Sequence, residues 1–176
     1  MKRLPFLIIC CMLFYTTLLI PYVVEAKKEK DFPLRIGDPL PPLTLTDLEG
    51  KEHELQQFHS TPYILNFWAS WCPPCRDEMP VMQQFYTEKK ELLPIIGINL
   101  FETERGEQEV QTFLEQFGVT FPILLDPSSQ VAKQFNVFAI PTTYLISEKG
   151  IIIDQWIGPL TGEVLQEWTQ HPSLYK

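Results

Sequence analysis

The residues best suited to chemistry are Cys72 and Cys75, in the run Trp71-Cys72-Pro73-Pro74-Cys75. The run sits between an apolar stretch with the look of a buried strand and a stretch with helical spacing. In a first helical turn, residues i and i+3 face each other, close enough for a disulfide. Cys72 falls at the helix start, where the positive end of the helix dipole and free N–H groups stabilise a thiolate. Pro73 and Pro74 are tolerated there because first-turn N–H groups lack intrahelical partners. A thiolate of lowered pKa is the attacking species in thiol–disulfide exchange. The expected order is Cys72, exposed, as the attacking sulfur and Cys75, shielded one turn in, as the resolving one.

Other uses of these residue types fit less well. A structural zinc site needs four ligands, but there is no second Cys pair, and His53, His59 and His171 lack ligand spacing. A c-type haem site needs His after the second Cys, where this chain has Arg76. No metal and no cofactor is therefore expected. The histidines read as surface residues, and the acidic cluster from Glu102 to Glu109 reads as a solvated helix start. The chain has 176 residues, 45% hydrophobic and 20% charged, with a net charge of −8, which describes a globular protein and not a disordered tail or rod. With that charge and no basic stripe, a nucleic-acid partner is not expected.

Several elements must hold the cysteine pair in place. Leu43 to Leu55, broken at Glu49-Gly50, reads as a β-hairpin. Tyr63 to Ala69 and Ile95 to Leu100 read as buried strands. A helix from about Pro73 to Lys90 carries Met79, Met82, Phe85 and Tyr86 on one face, with a kink expected at Pro80. Val110, Phe113, Leu114 and Phe117 form an amphipathic helix ended by Gly118. Phe121 to Leu125 reads as a strand and Val131 to Phe135 as a short helix. Thr142 to Ile146 and Ile151 to Ile157 form a hairpin with Gly150 at the left-handed position. Thr161 caps a last helix, with Leu160 and Leu165 as its hydrophobic staple and Trp168 facing the core. The reading is α/β: a mixed central sheet with helices on both faces, βαβ first and ββα at the end.

The N-terminus is a separate unit. Lys2 and Arg3 precede an uncharged stretch from Leu4 to Val24, 21 residues or about 31 Å as a helix, enough to cross a bilayer. Basic residues before it place the N-terminus inside and the remainder outside. The same stretch also fits a signal peptide cleaved after Ala26. Cys10 and Cys11 read as small apolar residues within it. Residues 1–26 hold two basic residues and one acidic, so the remaining 150 residues carry a net charge of −9. They keep only Cys72 and Cys75, whose bridge would close a tiny loop and constrain the unfolded chain little. That pair therefore reads as chemical and not structural. Residues 27–42, charged and then rich in proline, read as a linker, and 43–176 as the folded domain.

Phe67-Trp68-Ala69-Ser70-Trp71-Cys72-Pro73-Pro74-Cys75, Pro80 and Ile140-Pro141-Thr142-Thr143 resemble the thioredoxin fold. More closely, residues 36 to 170 resemble the membrane-tethered TlpA/ResA/StoA group of extracytoplasmic thiol–disulfide oxidoreductases. They include that group's N-terminal β-hairpin and the central insertion at 101–135, which plain thioredoxin lacks. Phe121-Pro122-Ile123-Leu124-Leu125-Asp126 and Ile157-Gly158-Pro159-Leu160-Thr161 are most like the StoA branch. The resemblance implies a protein-disulfide reductase acting on exported proteins, in a role of the cytochrome c maturation or spore-envelope kind. It also implies re-reduction by a membrane electron donor of the CcdA type. It implies a cis-proline at Pro141, and a substrate surface of Trp71, Pro73, Pro74, Ile140 and Pro141. Where thioredoxin has a buried Asp, this chain has Asn66; the group instead has a Glu three residues after the second Cys, matched by Glu78, which would serve as proton acceptor.

Three other activities compete. A dithiol oxidase would use the same residues at a higher potential. A peroxidase of the alkyl hydroperoxide reductase type expects Thr three residues before its reactive Cys, where this chain has Ala69. A copper-binding module wants a wider Cys spacing and a partner His.

Overall fold

An apolar strand without polar alternation must be covered on both faces, and two such strands organise this molecule. The computed structural model describes residues 33–59 and 61–175. The expected membrane span at 4–24 and the cleavage site after Ala26 lie outside the described residues, among which no helix is long and apolar enough to cross a membrane. The strands are β1 (Thr44–Thr46), β2 (Glu52–Glu54), β3 (Tyr63–Trp68), β4 (Ile95–Asn99), β5 (Ile123–Leu125), β6 (Thr142–Ile146) and β7 (Ile152–Ile157). The helices are α1 (Pro73–Lys89), α2 (Glu107–Phe117), α3 (Gln130–Gln134) and α4 (Gly162–Thr169). One mixed sheet has the order β2-β1-β5-β4-β3-β6-β7. β3, β4 and β5 run parallel; β6, β7 and the β1–β2 hairpin are antiparallel to their neighbours.

β3 and β4 are buried at every position. Alternation along β3 sends Ile64 and Trp68 to one face and Tyr63, Leu65 and Phe67 to the other. The first face is covered by α1 (Met79, Met82), α2 (Val110, Phe113) and α4 (Leu165, Trp168). The second is covered by α3 (Val131, Ala132) with Phe135. The helices thus lie on both faces, as the sequence predicts. Asn66 lies between β-partners Gly97 and Thr143, on the strand carrying the chain into the cysteine motif.

The expected caps and turns are present. Gly118 ends α2 at φ 60°, and Thr161 Oγ1 accepts the Val164 N–H at 3.3 Å beside the buried staple residues Leu160 and Leu165. Gly150 has φ 71°, and a Cβ there would meet the His59 ring at 2.4 Å. α1 continues through Pro80. The Phe121–Leu125 strand is shorter than expected because Pro122 has no N–H for the ladder.

Residues read as the end of a linker lie along the domain. Leu34 and Leu40 are buried. Leu34 N–H donates to Gln134 O, Gly37 N–H to Ile152 O and Leu40 N–H to Gly150 O, each at 2.8 Å. Apolar side chains spaced among the prolines give this stretch something to bury, which composition alone conceals.

Gly97 on β4 leaves no room for a side chain: a Cβ would stand 2.6 Å from Ile123 Cδ1, 2.9 Å from Trp68 Nε1 and 3.3 Å from Phe121. Trp68 is itself stacked on Phe113 and has little room to retreat. Gly97→Ala is expected to destabilise the domain by about 1–3 kcal/mol, read as a lowered urea midpoint with unchanged slope.

Candidate active site

The chain leaves β3, turns at Ala69–Cys72 with Cys72 N–H donating to Ala69 O at 3.2 Å, and enters α1. Cys72 is the N-cap residue of α1, with Pro73 and Pro74 in the first turn. Its Sγ accepts the Cys75 N–H at 3.3 Å, so a free N–H of the helix start is aimed at this sulfur. Cys72 and Cys75 form a disulfide, their Cα atoms 5.3 Å apart.

The expectation of an exposed Cys72 requires correction. In the disulfide Cys72 is 2% exposed and Cys75 fully buried. The loop before β6 covers the first sulfur, with Ile140 O 3.7 Å from Cys72 Sγ. The Ile140–Pro141 peptide is cis; Pro141 is buried and Ile140 half-buried. Pro73 is exposed and Pro74 half-buried. Trp71 is 54% exposed, its ring anchored by Nε1 donating to Thr103 Oγ1 at 3.0 Å. Trp71, Pro73, Pro74, Ile140 and Pro141 thus lie on the segments flanking the disulfide. Phe138, 74% exposed on the loop leading to Ile140, was not singled out from the sequence; nothing in its local pattern marks it.

Glu78 lies one turn beyond Cys75 on α1 and is 1% exposed. Its Oε2 accepts the Leu160 N–H at 2.6 Å, and its Oε1 accepts from Asn66 Nδ2 at 2.9 Å. Burial pushes its carboxyl up to about 7, against the downward pull of the Leu160 and Asn66 donors. Desolvation wins because two hydrogen bonds do not replace a full hydration shell. Asn66, fully buried, also donates from Nδ2 to Thr143 Oγ1 at 3.0 Å.

The acidic cluster is only partly a solvated helix start, and this is a second correction. α2 begins at Glu107, and Glu104 precedes it. Half-buried Glu104 accepts from Ser70 N–H and Asn99 Nδ2, both at 2.7 Å, and from the Ser70 hydroxyl. It ties the turn before the motif to the end of β4. A glutamate among glutamates carries no sequence signal for this; the contact depends on where β4 ends beside β3. Beyond it, a groove of about 550 Å³ runs between Trp71 and α2, with Arg76 and Arg105 on its walls.

This arrangement can exchange a disulfide and hold a proton beside it. Among the described residues no group of His, Cys, Asp and Glu is gathered for a metal ion.

Comparison with known proteins agrees with that chemistry. The AhpC/TSA family model matches residues 36–155. The thioredoxin-like protein YneN of Bacillus subtilis is 34% identical over 143 residues, covering 81% of this chain and 84% of that one. The thiol-disulfide oxidoreductase ResA of Bacillus thuringiensis subsp. konkukian is 35% identical over 167 residues, 94% of this chain and 92% of that one. The crystal structure of StoA from Bacillus subtilis superposes with a TM-score of 0.66 at 36% identity, over 76% of this chain and 98% of that one.

The raised Glu78 carboxyl sets a pH dependence of stability. Below the ordinary value of 4.5 both folded and unfolded chains hold the proton, and burial of the neutral acid is least costly. As pH rises to about 7, the unfolded chain releases its proton first, so folded stability falls. Between these limits the native protein should lose on the order of 3 kcal/mol relative to Glu78→Gln. Urea titrations of both oxidised proteins from pH 4 to 8 measure the divergence; parallel curves would mean that water reaches the carboxyl.

Proposed function

The chain belongs to the AhpC/TSA family and is a thioredoxin-fold thiol–disulfide oxidoreductase of the ResA/StoA type, and from that premise we propose that it reduces disulfides of exported partner proteins outside the cytoplasm. The observation that carries the reading is the Cys72–Cys75 disulfide at the start of α1, one turn from a buried acid whose carboxyl is raised to about 7.

The cycle starts from the reduced pair. Cys72, as thiolate at the helix N-terminus, attacks one sulfur of the partner disulfide and releases the other as a thiolate. A mixed disulfide joins Cys72 to the partner. Cys75 gives its proton to the Glu78 carboxylate, and its thiolate attacks Cys72 Sγ. The partner's second sulfur leaves as a thiolate, and Cys72–Cys75 is the disulfide that remains. Two electrons pass from the dithiol to the partner. A base that titrates near the working pH suits this transfer. Its negative charge also opposes thiolate formation nearby, so the two thiols and Glu78 titrate as a coupled set. Trp71, Pro73, Pro74, Ile140 and Pro141 form the surface on which the partner lies, and Pro141 offers a backbone edge to an extended segment.

In this reading residues 1–26 anchor the chain through 4–24, or are removed after Ala26; residues 27–42 lead from them to the domain at 43–176, the stretch from Leu34 onward already packed along it. An oxidising outer compartment requires a membrane thiol–disulfide donor of the CcdA type to restore the dithiol. Against the peroxidase alternative stand Ala69 where that class has Thr and a pair spaced for its own disulfide.

Cys75→Ser is expected to accumulate mixed disulfides with partner proteins and Cys72→Ser is not, as read on non-reducing gels after alkylation; equal trapping would reverse or remove the order of attack. The potential of the pair against glutathione decides direction: about −270 mV, as in thioredoxin, supports reduction, and about −120 mV, as in DsbA, supports oxidation. Protease added to intact protoplasts should digest the domain; full protection with none released to the medium would put the site inside.

A further inference from the structure

We infer that the side-chain amide of Asn66 turns with the protonation of Glu78, so that Asn66, with Thr143, is a positioning residue for the proton that Glu78 carries. The inference rests on the proposed role of Glu78 as proton acceptor and adds the group that makes both of its states tenable.

The observation is an imbalance around a fully buried amide. Asn66 Nδ2 uses both of its N–H groups, one to Glu78 Oε1 at 2.9 Å and one to Thr143 Oγ1 at 3.0 Å. Its Oδ1 is buried with no hydrogen-bond partner. This is the pattern that an ionised Glu78 requires, since a carboxylate is acceptor only. It is the wrong pattern for a protonated one. Leu160 N–H holds Oε2 at 2.6 Å, so an added proton belongs on Oε1, facing Asn66. Once that O–H turns toward Asn66, two donors point at each other.

A half-turn of the amide removes that clash. It directs Oδ1 at the Glu78 O–H, and Thr143, whose hydroxyl can either accept or give a hydrogen bond, turns its proton to the same oxygen. One end of the amide lacks a partner in either arrangement, whereas the donor–donor clash arises only if the amide stays fixed. An Asp at this position would compete for the proton; an Asn has none to exchange and leaves Glu78 the acid that titrates.

The groups facing Glu78 are few. Asn66 on β3 and the Leu160 N–H from the segment before α4 donate to it; Cys75 lies one turn before it on its own helix, and Thr143 on β6 accepts from Asn66 Nδ2. Asp154 on β7 is engaged by Trp168 Nε1 at 2.9 Å and by Gln155 N–H at 2.8 Å. Among the described residues no charged side chain contributes to the displacement of the Glu78 carboxyl.

The test uses the full oxidised chain in detergent micelles. The Asn66 side-chain amide is followed by nitrogen–proton NMR and the Glu78 carboxyl by its infrared band, from pH 5 to 9. The amide resonances should move with the midpoint of the carboxyl band and should stay flat in Glu78→Gln. A flat amide trace in the native protein while the carboxyl titrates overturns the inference. Asn66→Leu removes the donor to the carboxylate and should raise the Glu78 midpoint by about one pH unit, the scale of one lost hydrogen bond to a charged group. An unmoved midpoint in folded Asn66→Leu overturns it as well; should that variant not fold, the native amide trace decides. Reduction of a partner disulfide by Glu78→Gln at the native rate would remove the catalytic role of Glu78 and would leave the coupled titration standing, so the two failures are distinct.

Discussion

A carboxyl group with almost no exposed surface must have its lone pairs filled by the protein itself. At Glu78 the two donors come from Asn66 on the central strand and from the Leu160 N–H, 82 residues further along the chain. The helix that starts at Cys72, the strand that precedes it and the segment leading into the last helix are therefore pinned to one point. That point lies one turn from the disulfide. Helix position, strand register and site chemistry share a single constraint: shift β3 by one residue and Asn66 turns to the other face of the sheet, leaving the acid buried with one donor fewer.

The packing around this point has the same logic on a larger scale. Trp68 and Phe113 stack at 4.8 Å, so the inserted helix α2 sits on the strand that delivers the motif. Glu104 adds a polar tie at the same place, holding Ser70 and Asn99 together at the ends of β3 and β4. The insertion thus supports the turn that carries Trp71 and Cys72 and also builds one wall of the groove beside it. A rigid first turn matters for exchange chemistry, because the attacking sulfur needs the helix N–H groups aligned on it.

Burial of Cys72 in the disulfide and exposure of Trp71 and Phe138 divide the surface near the site. The sulfur itself is covered by the Ile140 carbonyl, while the large apolar side chains of Trp71, next to Cys72, and Phe138, on the loop leading to Ile140, are exposed. The same cover explains why helix position alone misjudges exposure: being at a helix start fixes the backbone environment of a cysteine, but not what another loop lays over it.

Much of this protein follows from its sequence because the signals are local. Cys72 and Cys75 at i and i+3, the β-hairpins, the caps at Thr161 and Gly118 and the two apolar central strands depend on residues within a few positions of one another, where periodicity and turn chemistry act. The partners of Glu78, the tie from Glu104 to Ser70, the loop over Cys72 and the docking of Leu34 and Leu40 depend on residues brought together from distant parts of the chain. The helix spacing that puts Glu78 on the side of Cys75 is written in the sequence. That its carboxyl is buried, doubly hydrogen-bonded and raised to about 7 was decided only when the sheet closed beneath it, since desolvation belongs to the packed fold and not to any stretch of the chain.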